Sequence, residues 1–144
     1  GYRLAGAEIM AERDLSKLLA SLSVKTRDGV WRFETIPSEQ ASWTDLVNLR
    51  EVRDIAMLFQ EAEGLTVITS AVDDTPQDNQ WAWLELSVYS DLQAVGFLAK
   101  VAEALADAGI PCNAVAAFHH DHIFVPVARA SEAKTAIETL RAQA

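Results

Sequence analysis

The sequence predicts an α+β fold in which strands alternate with helices, and two patterns in its second half carry the prediction. Apolar residues alternate over Leu84–Val88, as expected of a strand with one buried face. Apolar residues then recur at the spacing of one helix face, at Ala94, Leu98, Val101, Leu105 and Ala108. Neither a Gly-rich phosphate loop nor a nucleophile motif accompanies them, so the pattern favours a ligand-binding or regulatory module over an enzyme.

The first half predicts one helix and three strands. Asp14–Leu22 reads as a helix, because its leucines fall on one stripe and its first residue can cap the free amides. Val30–Ile36 alternates and ends at a proline, which predicts a strand. The polar stretch Ser38–Asp45 is expected to be a loop or one short turn. A β-hairpin is expected to join Ile55–Gln60 to Leu65–Val72.

The helix of the second half has a predicted start and a predicted end. Ser90 and Gln93 match a capping box, which places the helix start beside them. At the other end, Gly109 can take a left-handed conformation, Ile110 can supply the apolar contact, and Pro111 prevents continuation.

Two short strands and another helix complete the second half. Asn113–Phe118 and Ile123–Val125 read as strands on either side of a polar corner, His119–His122. The helix that follows is marked by apolar residues at Ala133, Ala136, Ile137 and Leu140.

A polar stretch, Asp73–Asn79, marks the predicted boundary between the two halves. We therefore expect an N-terminal extension (residues 1–13), an N-terminal half (14–78) and a C-terminal half (79–144). Met10 is a candidate native start, which would make the residues before it an addition.

Composition narrows the class of protein further. The 144 residues carry a net charge of −9, which argues against binding nucleic acid through its phosphates. No apolar run of membrane-spanning length occurs, and the first ten residues lack the layout of a secretory signal. Cys112 is the single cysteine, so no internal disulfide can form, and a reducing cytoplasm is the expected location.

The corner formed by His119, His120, Asp121 and His122 has two interpretations. Imidazole and carboxylate groups are ligands for zinc and other transition metals. However, the four residues lie in one tight corner, and neighbouring strand positions point to opposite faces. A role in the turn or at the surface is therefore preferred, and no metal, cofactor or catalytic residue is predicted.

Three segments of the second half carry a resemblance to a known family. They are Ser90–Gly96, Ala108–Asn113 and His120–Pro126. The first two resemble the ACT repeats of aspartokinases, and the third resembles small stand-alone bacterial ACT-domain proteins. The resemblance implies a ferredoxin-like βαββαβ fold, with two ACT-like halves that share an antiparallel sheet and carry helices on one face.

One departure from the family pattern concerns the last strand. Four residues remain after Leu140, too few for the fourth strand of a βαββαβ unit. We therefore expect a strand from the N-terminal half, or from a partner chain, to take that place.

The resemblance also implies a binding site for a small metabolite, and an amino acid is the expected ligand. It lies where the first loop of one ACT unit meets a strand of its neighbour. Gly96 would let a ligand carboxylate reach the positive end of the helix, and Asp91 would pair with an ammonium group. The alternative is that this loop only caps and packs the helix. The residues carried over are Ser90, Asp91, Val95, Gly96, Phe97, Asn113 and Val115, with His122 as a further lining candidate.

Large aromatic residues predict a covering partner. Trp81, Trp83 and Tyr89 fall on the strand face opposite the leucines. We expect the N-terminal half or a second chain to cover them, and a homodimer or higher homo-oligomer is the favoured state. The alternative is that these rings only seal the edge of the monomer core. The predicted function is a non-catalytic sensor. The alternatives are an interaction module without a ligand, or a regulatory subunit of a separately encoded metabolic enzyme.

Overall fold

The computed structural model describes residues 2–4, 7–40 and 42–144. The chain divides into two compact units, and each is described by itself. The first unit comprises Gly1–Asp28 and Ala82–Ala144, and the second comprises Gly29–Trp81. The predicted helix near Asp14 therefore packs in the same unit as the C-terminal half. The division of the sequence into 1–13, 14–78 and 79–144 stays a prediction; part of its first segment, together with residue 41, lies outside the described residues.

The first unit contains the predicted alternation of strands and helices. It begins with a short antiparallel hairpin formed by strands β1 and β2. Strand β7 runs from Trp81 to Leu86, and its residues from Ala82 onward belong to this unit. The elements are β1 (Tyr2–Leu4), β2 (Ala7–Ile9), α1 (Leu15–Ala20), β3 (Val24–Thr26), β7 (Trp81–Leu86), α3 (Phe97–Asp107), β8 (Asn113–Ala116), β9 (Asp121–Pro126) and α4 (Ala130–Glu138).

Strand β3 supplies the missing fourth strand, as one of the two expected sources. The strands of this unit lie in the order β3-β7-β9-β8. Strand β3 runs antiparallel to β7, with Val24 opposite Leu86 and Thr26 opposite Leu84. The Glu138 side chain of α4 accepts a hydrogen bond from the Val24 backbone at 3.2 Å, which ties the added strand to the C-terminal helix.

Alternation along the strands sends apolar side chains to one face, where the helices cover them. Along β7, Ala82, Leu84 and Leu86 are buried while the residues between them are half-buried. The result is one continuous apolar core, which contributes most of the favourable free energy of folding. Its fully buried members include Leu18, Leu22, Leu84, Leu86, Val101, Leu105, Ile123, Val125, Ala133 and Ile137.

The predicted end of α3 is confirmed. Gly109 has a φ of 69°, which is the left-handed region that favours glycine. Its backbone N–H donates to the Ala106 carbonyl, and the N–H of Ile110 donates to the Leu105 carbonyl, both at 2.9 Å. These two bonds are the Schellman pattern, and the Ile110 side chain is buried in the core.

The predicted start of this helix is wrong. Helix α3 begins at Phe97 rather than beside Ser90, and its N-cap is Gly96, with a φ of 90° and no side-chain cap. Ser90 is buried and donates its hydroxyl proton to Asp121, so it is not available to cap a helix. A turn occupies the positions that the capping box had assigned to the first helical residues.

The second unit contains the predicted strand and the predicted hairpin. Antiparallel strands lie in the order β5-β6-β4. A helix that the sequence analysis placed partly in a loop follows β4. Its signal was the Ser42–Asp45 capping box, in which each side chain bonds the other residue's backbone. The elements are β4 (Trp31–Pro37), α2 (Trp43–Val52), β5 (Ile55–Gln60) and β6 (Gly64–Ser70).

A charged cluster holds β4 to its surroundings in this unit. The Glu34 carboxylate accepts hydrogen bonds from Arg32 and Arg53, and from the Thr69 hydroxyl at 3.2 Å. Burial pushes the pKa of Glu34 upward, but the hydrogen bond from Arg32 and the charges of the two arginines outweigh it and leave the pKa lowered.

Among the described residues, no helix is both long and apolar enough to cross a bilayer.

Substituting Gly109 tests the end of α3. Gly109→Ala is expected to lower the free energy of unfolding by about 1 kcal/mol, because an L side chain is strained at this φ. A methyl group there would meet no atom within 4 Å, so strain rather than collision is measured. Urea denaturation checks it against Glu103→Ala, on the exposed side of the same helix. Equal stability of the two variants would contradict the Schellman assignment.

Candidate functional site

The N-terminal segment of the first unit runs beside the loop that follows β7. The Glu12 backbone N–H donates to the Tyr89 carbonyl, and the N–H of Asp91 donates to the Glu12 carbonyl, each at 2.8 Å. Glu12 and Ser90 therefore form a short parallel bridge. This pairing fixes the loop backbone at the point where the predicted site residues begin.

Ser90 and Asp121 form a buried polar pair at the base of this loop. Both residues are 8% exposed, and the Ser90 hydroxyl donates to Asp121 Oδ2 at 3.1 Å. Burial raises the pKa of Asp121, although the Ser90 hydrogen bond and the nearby His120 oppose the rise. The site thus contains a carboxylate whose charge is poorly solvated.

Asp91 is held differently from Asp121. Its Oδ1 accepts a hydrogen bond from the Gln93 backbone N–H at 2.8 Å, and its Oδ2 lies 3.2 Å from Arg13 Nε. The Gln93 hydrogen bond, helped by Arg13, lowers the pKa of Asp91. Both carboxylate oxygens therefore have protein partners, and they stabilise the turn between β7 and α3.

Gly96 serves the conformation of the loop. At its φ of 90°, any L side chain would be strained, and an added Cβ would lie 3.5 Å from Leu15 Cδ2. The next residue, Phe97, is buried and starts α3, while Val95 is 83% exposed on the loop. Gly96 has no side chain that could cap this terminus, so among the described residues the first amides of the 11-residue helix remain available to an anion.

Two clefts border the loop segment Ser90–Leu92. The larger has a volume of 260 Å³ and is bordered by Arg13 and Phe118 in addition to the loop. The smaller, of 150 Å³, reaches Asp121 and the start of α3. Apart from the loop segment and Asp121, the walls of the smaller cleft are apolar, formed by Ala94, Phe97, Leu98 and Ala116.

The other predicted site residues line neither cleft. In the β8–β9 pair, Asn113 lies opposite Phe124 and Val115 lies opposite His122. Ala116 and Asp121 also lie opposite each other, and both line the smaller cleft. Each of the four residues is an odd number of positions along its strand from Ala116 or Asp121. Successive side chains along a strand point to opposite faces of the sheet. Asn113, Val115 and His122 therefore lie on the face opposite the smaller cleft.

That opposite face is organised around Trp83. Its indole Nε1 donates to His122 Nδ1 at 2.8 Å, and its ring packs 5.7 Å from that of Phe124. The Arg27 guanidinium lies 4.5 Å above the Trp83 ring and is ion-paired with Glu85. A residue from the N-terminal part of the sequence thus covers one of the aromatics for which a covering partner was expected.

The polar corner between β8 and β9 does not gather its side chains around one point. His120 Nδ1 lies 2.9 Å from the Val88 carbonyl, His122 accepts from Trp83, and Asp121 accepts from Ser90. Among the described residues, no group of three His, Cys, Asp or Glu is placed to hold a metal ion. The His120 and Asp121 contacts instead anchor the corner to the strand and loop at 88–90.

The sequence analysis missed Asp121 as a site residue in its own right. The missed signal is the phase of β9: Asp121, Ile123 and Val125 share the inward face, so a carboxylate occupies a core position. Arg13 was also missed. Its approach to Asp91 depends on the pairing of Glu12 with the loop, which no local pattern indicates.

Two protein-family models together match most of the chain. A model described as ACT domain matches residues 80–142, and a second ACT domain model matches residues 10–74. The chain belongs to the ACT domain family. ACT domains are regulatory modules that generally bind amino acids, and the ferredoxin-like α+β fold predicted from the resemblance is confirmed.

Solved structures share the fold of this chain. A Vibrio cholerae protein of unknown function, described as a possible transport protein, is 31% identical with a TM-score of 0.71, over 88% of this chain and 95% of that one. The regulatory subunit of aspartate kinase from Thermus thermophilus is 14% identical, with a TM-score of 0.61 over 81% of this chain and 95% of that one. At that identity, the second likeness shows the fold alone. No curated protein sequence matches the chain.

The buried Asp121 carboxylate gives a stability prediction. Its folded-state pKa is raised above 3.8, so its favourable contribution is complete below that pH and is lost as the pH rises through the folded pKa. Asp121→Asn, which can still accept the Ser90 hydrogen bond, is therefore expected to be more stable than the parent protein near neutral pH. Urea unfolding from about pH 4 to about pH 7 should show that the stability advantage of the variant over the parent protein increases as the pH rises. A variant less stable throughout would contradict this account.

His122 predicts a pH dependence of the opposite sense. Burial lowers its pKa from the ordinary 6.5; Glu85 opposes the shift, while His120 and Arg27 add to it. The stabilisation is present above pH 6.5 and is lost as the pH falls through the folded pKa. His122→Gln should therefore lose less stability than the parent between about pH 8 and about pH 5 in urea titrations. Parallel pH profiles would refute a desolvated, neutral His122.

Proposed function

We propose that this ACT domain protein is a non-catalytic sensor that binds an amino acid at the loop Ser90–Phe97. The observation that carries the proposal is the smaller cleft, because it lies at the uncapped start of α3 and reaches a buried polar pair. The ligand carboxylate would lie on the first amides of α3, where the helix dipole favours negative charge.

The walls of the smaller cleft support a ligand with an aliphatic portion. Phe97 and Leu98 contribute apolar surface from the helix, and Ala116 contributes a small side chain from β8. Binding sites for small molecules commonly combine such apolar walls with a few polar groups that fix orientation. An amino acid presents both kinds of surface.

A second copy of the chain would complete the site. Leu92, Val95 and Phe118 are 66%, 83% and 58% exposed around the loop. Exposed apolar residues at a cleft mouth favour a covering partner. In a homodimer, the edge strand β8 of the partner, which carries Asn113 and Val115, could approach this loop. Ligand binding would then act by favouring one arrangement of the subunits.

The same exposed residues support a second candidate function. A module that docks on another protein, including a separately encoded metabolic enzyme, would also bury Leu92 and Val95. In that case the chain binds its partner whether or not an amino acid is present. The cytoplasmic location expected from the single cysteine stays a prediction and suits either function.

Filling the smaller cleft tests the sensor function. Ala116→Leu places a larger side chain against the cleft and should weaken amino-acid binding by about tenfold or more, because the ligand loses space. Thermal shift against the twenty amino acids, followed by calorimetry on those that stabilise, measures the effect. A ligand at about 100 times its dissociation constant adds about 2.7 kcal/mol to stability.

Ala114→Leu is the matched control for this variant. Ala114 is exposed on the same strand and the same face, but it does not line the cleft. It should leave binding unchanged, and both variants should keep the parent stability within about 0.5 kcal/mol. If no amino acid stabilises the parent protein, the sensor function is refuted. If Ala116→Leu binds as tightly as Ala114→Leu, the site is misplaced.

A further inference from the structure

We propose that Asp121 anchors the ammonium group of the ligand, so that the smaller cleft accepts primary amines and discriminates against analogues that lack the amino group. This inference deepens the proposed function and rests on it. It assigns the positive end of an amino acid to β9 and the negative end to the start of α3.

The carboxylate of Asp121 is incompletely satisfied inside the unit. Ser90 donates to Oδ2, while the described residues give Oδ1 no hydrogen bond and place no Lys or Arg within ion-pair distance. The residue is nevertheless 8% exposed and lines the cleft. The charge of His120 favours the ionised form of Asp121, but the described residues form no ion pair with this carboxylate. A cationic ligand would therefore still lower the cost of its burial.

Asp91 is less suited to this role, although the sequence analysis assigned it there. Both of its oxygens already have partners, the Gln93 backbone N–H and the Arg13 guanidinium. An ammonium group at Asp91 would have to displace one of them. At Asp121 the ammonium would add a contact and displace none of the described ones.

The surroundings of Asp121 favour an organic amine over a metal ion. A hard cation such as calcium requires six to eight oxygen ligands. Beyond the carboxylates and Ser90, the cleft presents the apolar side chains of Ala94, Phe97, Leu98 and Ala116. These walls suit the carbon skeleton attached to an ammonium group.

The opposite pole of the ligand has its own partner. Phe97 and Leu98 line the same cleft and are the first two residues of α3, which no described side chain caps. Their free amides attract an anion. One cleft therefore offers a negative group and a positive helix end, which is the charge pattern of an α-amino acid.

Matched pairs of amino acids and 2-hydroxy acids test the assignment. L-alanine with L-lactate, and L-leucine with L-2-hydroxyisocaproate, share a side chain and a carboxylate and differ in the amino group. Calorimetry on the full chain should show about 10- to 100-fold weaker binding of the hydroxy acid, as expected for a charge-assisted hydrogen bond. The simple amine n-butylamine probes the ammonium site without a carboxylate.

The diagnostic variant is Asp121→Asn, with Asp107→Asn as the control. Asp107 is exposed at the end of α3 and does not line the smaller cleft, so its variant makes the same charge change elsewhere. Asp121→Asn should remove the preference for the amino acid over the hydroxy acid while remaining folded and, near neutral pH, more stable than the parent. Asp107→Asn should keep the preference.

The outcomes separate this inference from the proposed function. Amino-acid binding that survives Asp121→Asn, or equal binding of both members of each pair, overturns the ammonium anchor and leaves the sensor in place. Asp121-dependent binding of n-butylamine without binding of any amino acid supports the anchor and refutes the amino-acid sensor. If no probe binds the parent protein, both are refuted.

Discussion

The three residues of β3 pair with the outer edge of β7, and the rest of the first unit depends on that pairing. Without it, the C-terminal sequence would expose the unpaired backbone groups of β7. The same N-terminal segment continues to the site: Glu12 pairs with the loop, Arg13 holds Asp91, and Leu15 lies against Gly96. One segment, distant in sequence, therefore completes both the sheet and the candidate site.

Local signals predicted the elements that are locally determined. The end of α3 follows from Gly109 and Ile110 alone, because the conformation and the contact that terminate the helix lie within three residues. The helix at Asp14 has the same character: its cap accepts from the Lys17 backbone at 3.0 Å.

Long-range contacts determine the features that local sequence patterns did not predict. Ser90 looks like a helix cap, but its partner is Asp121, 31 residues further along, and the helix begins at Phe97. The predicted site residues lie on two different faces of the sheet for a similar reason. Asn113, Val115 and His122 lie in the same two strands as Ala116 and Asp121, yet the alternation of side chains along β8 and β9 places them on the opposite face. A family resemblance indicates candidate site residues, whereas the alternation of side chains along a strand determines which of those residues share a surface.

A buried carboxylate that is expected to lower stability at neutral pH invites a functional explanation. An asparagine at Asp121 would keep the Ser90 hydrogen bond and avoid the desolvation of a charge, so stability alone does not account for an acid here. His122 makes a useful contrast, because burial favours its neutral form and its Nδ1 accepts a hydrogen bond from Trp83. Sites that bind charged ligands often contain groups that remain unsatisfied until the ligand arrives. Asp121, beside a cleft and an uncapped helix, meets that description in the part of the chain that the structure describes.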